Sequence, residues 1–447
     1  MNIARSGMDV NSKSMSVVGN NIANLNTPGY SRQAAEARSL PSLESGGLMF
    51  GQGVSIEKIS RAQDMFVHAR LLDAEEEMGR YSAMSAPLQE LEQVFGVETG
   101  DNLAGHIEEF FVSWDNLATN PGGDVERVQV IQMGHNLVSS FNSVFRNLDM
   151  LDRTINQSLS FEVGQVNSML KEVAELNTRI ARSQSPGGEA HSAMDRRDLL
   201  LRELSGKLGV GTYKGENDMV SVVLPGGRIL VQGEGAHLLE EKQGSLYLVN
   251  NQNRSEIGSN DLGGALGGLL EVRDGIIGQV KDQVLTLRNT LMGAVNGQHN
   301  KGFNVHGNGG DFFSYEDDKP YEMEVAIETP DQVAAAEYSD AAPGDNGNAL
   351  EMYALGAEKI VDESFTFLDY YGLISANVGM EVNQNKMRLE SCGDNLNQLI
   401  NRRESRVGVS LQESMLELTM YQRGFQAAAR HMSTVDEMLQ TLMGVGR

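Results

Sequence analysis

Residues 411–442 read LQESMLELTMYQRGFQAAARHMSTVDEMLQTL, and their spacing decides the fold class. Leu411, Leu418, Phe425, Met432 and Leu439 recur every seven residues. Tyr421, Ala428, Val435 and Leu442 flank them on the same face, with Met415 between the first two rungs. Such a heptad repeat predicts an α-helix with one apolar seam. A seam of this kind is not stable in water, because each exposed Leu or Met costs roughly 1.5–3 kcal/mol relative to burial. It needs a partner.

A matching seam lies at the other end of the chain. Ala4, Met8, Met15, Val18, Ile22 and Leu25 alternate steps of four and three, with Asn11 as the polar interruption. The helix is expected to stop at Thr27-Pro28-Gly29. Proline disfavours helix for the residue before it, and glycine opens a turn. The two ends are therefore expected to pair with each other, with other copies of the chain, or with a chaperone.

Between the ends, residues 31–60 carry Pro41, Gly46-Gly47 and Gly51-Gln52-Gly53 and read as strands and loops. Helices resume at about Ala62, with Leu88, Leu91 and Phe95 on one stripe. Leu103, Ile107, Phe110, Trp114 and Leu117 form another, which Asn120-Pro121-Gly122-Gly123 stops before Asp124 caps the next helix. That next helix runs to about Gln184, with Leu159, Val166, Val173 and Ile180 seven apart and Met169 and Leu176 on the partner row. Ser185-Pro186-Gly187-Gly188 closes it. Val220, Val222 and Leu224 before Pro225-Gly226-Gly227, then Ile229-Leu230-Val231, predict a β-hairpin, and Leu246 to Val249 a further strand. A second long helix is expected from about Leu266 to His299, followed by a loop-rich, acidic stretch to Ala349. The last helical region carries Leu368, Val382, Leu389 and Leu396 on one row and Tyr371, Val378, Cys392 and Leu399 on the other, with a break at Gly408.

The expected fold is mainly α with a minor β part, elongated, with the terminal helices pairing as a coiled coil. Four segments follow. Residues 1–30 and 408–447 form the terminal coiled-coil domain, and 31–207 with 264–407 a long-helix bundle. Residues 208–263 form a small β-rich segment, and 314–343 a short separate stretch.

Composition narrows the function. The 447 residues are 40% apolar but only 6% aromatic, with 22 Met, which suits helical cores of Leu, Met, Val and Ala. A formal charge of −25, from 36 basic and 61 acidic residues, disfavours nucleic acid and anionic membrane surfaces as partners. The single cysteine, Cys392, excludes an intrachain disulfide. Met1 to Asn26 has no continuous apolar stretch of the ~7–15 residues that a cleaved secretory signal needs. The chain is expected to stay in the cytoplasm or to leave by a route without signal cleavage.

Local clusters invite chemistry and mostly answer to structure. Eight histidines include His299 and His306 in one loop, but no H-E-x-x-H or Cys-x-x-Cys accompanies them. Gly263-Gly264-Ala265-Leu266-Gly267-Gly268 lacks the Lys-Ser/Thr of a phosphate loop and reads as a strand-to-helix turn. Asp195, Arg196, Arg197 and Asp198 read as a salt-bridge network at a helix start, with Asp195 as N-terminal cap. Cys392, on an apolar row, reads as a small core residue. No enzyme, cofactor or metal is expected.

The segment Gly19-Asn20-Asn21-Ile22-Ala23-Asn24-Leu25-Asn26-Thr27-Pro28-Gly29-Tyr30-Ser31-Arg32 resembles the N-terminal signature of flagellar rod, hook and hook-associated axial proteins. Without Pro28-Gly29-Tyr30 at this spacing, the Asn-rich run would read as a frayed helix end. Internal pieces resemble the hook-associated protein 1 branch of that family, whose members form the hook–filament junction. They include Phe110-Phe111 with Trp114, Asn120-Pro121 before Arg127, Asp195 to Leu199, Leu230 to Gly233 and Gly267 to Asp274. Asn296 with His299 and Gly302, Asp311-Phe312-Phe313, Gly344 to Leu350, Tyr370-Tyr371 and the terminal helix from Val409 follow in order. Two departures stand out. The first helix begins about a turn later than in the family, and where many relatives insert an outer β domain this chain has only the stretch near 314–343.

The resemblance implies a structural axial component that forms the junction between hook and filament. It implies type III export, self-assembly in a helical ring, and location on the extracellular flagellum after a cytoplasmic stage. Its implied partners are copies of itself, the hook protein below and the second junction protein above. The export apparatus and a cytosolic chaperone on the C-terminal helix complete the set. The implied assembly residues are Met8, Met15, Val18, Asn20, Asn21, Ile22, Asn24, Thr27, Pro28, Gly29 and Tyr30 at the N-terminus. At the C-terminus they are Leu411, Met415, Leu418, Tyr421, Phe425, Met432, Val435, Leu439 and Leu442. Another axial protein, hook or distal rod, or an axial protein carrying a hydrolase domain, remains the alternative.

Overall fold

A computed structural model describes residues 1–45, 48–96, 102–183, 188–242, 244–250, 253–315 and 321–445. The fold is mainly helical with small antiparallel sheets. Helix α1, Asn2–Ala23, leads into strands β1 (Gln33–Ser39), β2 (Leu43–Ser45), β3 (Leu48–Phe50) and β4 (Val54–Arg61). Helices α2 (Met65–Phe95), α3 (Leu103–Thr119), α4 (Asp124–Arg182) and α5 (Gly188–Leu208) follow. Strands β5 (Gly211–Lys214), β6 (Val220–Val223), β7 (Ile229–Gln232) and β8 (Gly235–Ala236) make one sheet in that order. Strands β9 (Leu238–Lys242), β10 (Ser245–Asn250) and β11 (Asn253–Ile257) make another, with β10 central. Helices α6 (Gly264–Leu270) and α7 (Gly278–His299) are joined by a π-helical turn, Glu271–Ile277. Four two-residue strands follow: β12 (Phe303–Asn304), β13 (Gly307–Asn308), β14 (Phe313–Ser314) and β15 (Glu324–Val325). The chain closes with α8 (Gly347–Leu355), α9 (Phe367–Val407) and α10 (Leu411–Val445).

The chain divides into two compact units that cut across the segments expected from the sequence. The first comprises residues 1–80, 162–266 and 390–447, and the second 81–161 and 267–389. The β-rich segment thus shares a unit with the chain ends, and the bundle is divided between the two.

In the first unit, α1 packs along α10 and against the β1–β4 ribbon. Helix α1 stops at Ala23, four residues before Thr27. Asn24 turns its amide back to donate to Asn20 O at 3.0 Å, and Thr27 Oγ1 donates to Asn24 Oδ1 at 3.2 Å. Such local side-chain bonds compete with helix continuation. Helix α2 starts three residues later than expected, where Asp64 Oδ1 accepts the Val67 N–H at 3.0 Å. The hairpin around Pro225-Gly226-Gly227 forms as β6–β7, with Gly227 at φ 78°.

The expected helix-start network is placed differently. Asp195 to Asp198 lie in the middle of α5 and cap nothing. Their partners come from elsewhere in the chain, which spacing along one helix does not reveal. The closing turn Ser185-Pro186-Gly187-Gly188 lies largely outside the described residues. Along α4, Leu159, Val166, Val173 and Ile180 are buried as the heptads require. Of the expected partner row Leu176 is buried and Met169 half-buried, and Val163, Leu170 and Asn177 form a further buried row beside them.

In the second unit, an aromatic core gathers Phe110, Trp114, Phe312 and Phe313. Phe110 lies 5.4 Å from both Phe312 and Phe313, ring centre to ring centre, and Phe111 stacks on Phe367 at 5.7 Å. Each such pair contributes about 0.5–1.5 kcal/mol beyond area burial. Arg127 of the same unit is buried and spends its guanidinium on carbonyls. Nε donates to Pro121 O at 2.9 Å, and Nη1 to Val333 O at 2.7 Å and Pro330 O at 3.3 Å. Beyond residue 321, Met323, Ile327 and Val333 to Ala336 are buried. Along α9, whose residues from 390 on belong to the first unit, the inner row is Tyr371, Val378, Asn385 and Cys392, while Leu368 is exposed and Val382, Leu389 and Leu396 are half-buried.

Candidate assembly site

The chain ends meet as an antiparallel helix pair. A Cβ built on Gly7 of α1 would lie 3.6 Å from Ala428 Cβ on α10. Four residues on, Asn11 faces Gly424, where an added Cβ would stand 2.6 Å from Asn11 Oδ1. Glycine at 7 and 424 lets the helices approach closely. Asn11 is satisfied within α1, donating Nδ2 to Gly7 O at 2.7 Å.

Burial sorts the expected assembly residues into two sets. On α1, Val18 and Asn21 are buried and Met8, Met15 and Ile22 half-buried, while Asn20 is exposed; Asn24, just past its end, is half-buried. Val10, Ser14 and Val17 are also buried, so α1 closes a second face that the single expected seam does not contain. On α10, Leu418, Tyr421, Ala428, Met432 and Val435 are half-buried, around buried Ser414. Leu411, Met415, Phe425, Leu439 and Leu442 are exposed, Leu442 at 69%. Of the two rows read from the sequence, the flanking row turns inward along most of its length. Most of the leading row is left bare.

After α1 the signature turns inward and knots itself to the unit. Asn21, 1% exposed, behaves as a piece of strand: Nδ2 donates to Gln33 O at 2.8 Å, and Oδ1 accepts the Gln33 N–H at 3.0 Å. Tyr30 donates its hydroxyl to Asn21 Oδ1 at 2.8 Å, with Asn20 Oδ1 at 3.1 Å. Thr27 and Pro28 are exposed on the turn, and Gly29 takes φ 79°, where a side chain would be strained. Arg403, near the end of α9, donates Nη2 to Gly29 O at 2.9 Å and Tyr30 O at 3.3 Å. Arg32 pairs with Glu413 at the start of α10, and Arg32 N–H donates to Val407 O at 2.9 Å. The signature therefore touches both helices at the far end of the chain.

Below the turn sits a buried ion cluster. Arg61 on β4 donates Nε to Asp195 Oδ1 at 2.7 Å and Nη2 to Asp198 Oδ2 at 2.6 Å. Asp195 also accepts the Ser31 N–H at 3.4 Å. Burial opposes the Arg61 charge, but Asp198 and Asp195 outweigh it and hold the guanidinium above its ordinary range. Burial raises the Asp195 carboxyl against the opposing pull of Arg61. Burial, then the charge of Asp195, pushes the Tyr30 phenol up to about 12, so it stays a neutral donor at physiological pH. Removing one member of such a cluster costs about 3–5 kcal/mol, because the rest are left buried and unpaired.

The sequence profile of the flagellar hook-associated protein FlgK helical domain matches residues 88–313, about half the chain. The chain belongs to the FlgK family. Within it, the flagella basal body rod protein profile matches residues 1–30. The flagellar basal body rod FlgEFG protein C-terminal profile matches residues 404–445. Flagellar hook-associated protein 1 of Salmonella typhimurium is 28% identical over 326 residues, covering 70% of this chain and 59% of that protein. The match thus spans less than two thirds of that relative's length. Flagellar hook-associated protein 1 of Bacillus subtilis is 25% identical, covering 99% of this chain and 98% of that protein. The flagellar hook junction protein FlgK from Burkholderia pseudomallei shares the fold, with a TM-score of 0.67 at 15% identity over 78% of this chain and all of that one. No helix among the described residues is long and apolar enough to cross a membrane.

This FlgK-family chain also uses a device that the sequence reading missed. Asn142, Asn167, Asn177 and Asn296 repeat what Asn21 does, each donating its amide to a backbone carbonyl and accepting a backbone N–H. They join helices to Met323, Leu239, Val220 and Phe313 respectively, Asn296 accepting from both Phe312 and Phe313. The available signal was asparagine on or beside an apolar helical row, as with Asn177 seven residues after Leu170.

Proposed function

We propose that this chain is a structural axial component of the bacterial flagellum, forming the junction between hook and filament after type III export and self-assembly. One observation carries the reading above the family membership. Helix α10 is held by α1 on one face while Leu411, Met415, Phe425, Leu439 and Leu442 stay exposed on the same helix. These five large apolar side chains, 36–69% exposed, forgo part of the roughly 1.5–3 kcal/mol each that full burial gives, which favours a partner that covers them. The residues expected to serve assembly accordingly have two roles. Asn21, Gly29 and Tyr30 fix the turn, and the exposed α10 row meets the neighbour.

The neighbours are copies of the same chain in a helical ring, the hook protein below and the second junction protein above. Before export a cytosolic chaperone covers the C-terminal helix, and the export apparatus passes the chain to the extracellular flagellum. Residues 1–30 and 408–447 line the inner tube, and 314–343 takes the place of an outer domain. The role is structural and not catalytic, and it involves neither nucleic acid nor membrane. The rod-type profiles at the two ends also suit a hook or distal rod protein, but the FlgK helical profile in between favours the junction.

Deleting Leu411 to Arg447 tests the reading in cells. The expected result is hooks without filaments, with filament protein secreted into the medium. Filaments of normal length on such cells would overturn it.

A further inference from the structure

Beneath the signature turn lies a cavity of about 210 Å³ whose wall includes Gly29, Ser31 and His68. A single water needs roughly 10–15 Å³ on this measure, so the space admits a polyatomic ion with part of its hydration shell. In a chain of net charge −25 its wall is cationic: Arg61, Arg197, Arg202, Arg403 and Lys214 face it. Asp64, Asp198 and Asp218 are the carboxylates on the wall, and all three are engaged, Asp64 with Arg406, Asp198 with Arg61 and Asp218 with Lys214.

Arg197 is the group that asks for a ligand. It is 5% exposed, and Nη1 donates to Asn177 Oδ1 at 3.0 Å and to the backbone oxygen of Asp218 at 2.7 Å. None of its hydrogen bonds among the described residues goes to a carboxylate. Its Nε is buried with no acceptor, and so is Nη1 of Arg61 beside it. Asp198 and Asp218 lie near enough to offset part of its burial, but neither carboxylate accepts its N–H groups, and each buried N–H left unmet is unfavourable. Burial holds the His68 imidazole below its ordinary value; Asp198 pulls it back up, and the guanidinia of Arg61, Arg202 and Arg403 add to the lowering.

We propose that this cavity is a binding site for a small oxyanion of the sulfate or phosphate type, held by the arginines of α5 and α9. Guanidinium groups match such ions because they offer paired donors in a fixed plane. The bound ion ties Arg403, which holds the signature turn, to Arg202 and Arg197 on α5. It thereby fixes the turn from which α1 departs.

Titration calorimetry on the full chain, with sodium sulfate replacing sodium chloride at constant ionic strength, tests this. One saturable site is expected. Arg202→Met, which removes a wall cation outside the Arg61 cluster, is expected to weaken it about tenfold, the loss of one charge-assisted hydrogen bond. Glu75→Gln removes the carboxylate that Arg202 engages and is expected to tighten binding several-fold. Should Arg202→Met fail to fold, Glu75→Gln still decides. No saturable heat, or an unchanged affinity in the variants that fold, would overturn the proposal.

Discussion

Asn21 and Gln33 hydrogen-bond to each other twice, at 2.8 and 3.0 Å, so a helix side chain occupies the place a neighbouring strand would take. The pairing leaves neither backbone group of Gln33 open to water. Asn21→Leu fills the space but strands both. It is expected to lower the unfolding free energy by about 2–4 kcal/mol, measured as a shift in the urea midpoint. Asn21→Asp keeps the acceptor, so the Gln33 amide should remain slow to exchange with deuterium. Rapid exchange in that variant would show that the contact does not protect the turn.

The α1–α10 register is open to a chemical test. The 3.6 Å between a Cβ at position 7 and that of Ala428 lies within the range for a disulfide. A chain with Gly7→Cys, Ala428→Cys and Cys392→Ser is expected to close a loop in air within one molecule. It would run as a faster monomer on a non-reducing gel. Only dimers, or no change, would mean that the ends do not pair this way in the free chain.

His299 links the fold to pH. It is buried, with Nδ1 2.6 Å from Gly310 O and Nε2 accepting the Ala334 N–H at 3.0 Å, a role open only to a ring nitrogen without a proton. Burial, against weaker opposing pulls from Gly310 and Asp311, holds it below the ordinary value of 6.5. The folded state therefore binds a proton less readily than the unfolded one. Stability from this group is complete above about pH 6.5 and falls by roughly 1.4 kcal/mol per unit as pH drops, until the folded value is reached. His299→Gln keeps a side-chain acceptor and is expected to flatten that part of the slope. An identical slope in chemical denaturation from pH 7.5 to 5 would refute it.

Arg127 is expected to resist conservative replacement. Its three carbonyl partners need a fork of donors, and lysine brings one nitrogen. Arg127→Lys should destabilise the second unit by about 2–4 kcal/mol, read by thermal unfolding. A loss under about 0.5 kcal/mol would show that water replaces the missing bonds.

Helical rows were readable in advance because their period is local. Leu103, Ile107, Phe110, Trp114 and Leu117 are all buried, and so are Leu270, Ile277, Val284 and Leu291, even across the π-helical turn that the pattern does not announce. What stayed hidden depends on partners distant in sequence. Asp195 suggests a helix cap until Arg61 and Ser31 are placed against it. The two faces of α1 could not be separated from one heptad count, since Val10, Ser14 and Val17 are buried as well as the row read as the seam. Asn177 and Asn385 lie on rows of apolar residues and carried no expectation from the spacing, yet both are buried.

The signature turn also has a place in time. Its bonds join residues far apart along the chain: Ser31 to Asp195, Gly29 to Arg403, Arg32 to Glu413. Loop-closure entropy grows only slowly with length, so such distant closures cost little more than nearer ones at equilibrium. Rate is another matter, because contacts of large sequence separation form late. During synthesis the turn is made before residues 195, 403 and 413, and it can be completed only once all three exist. The joint is therefore closed after its first part is made, and its presence reports that α5, α9 and the start of α10 have folded against it.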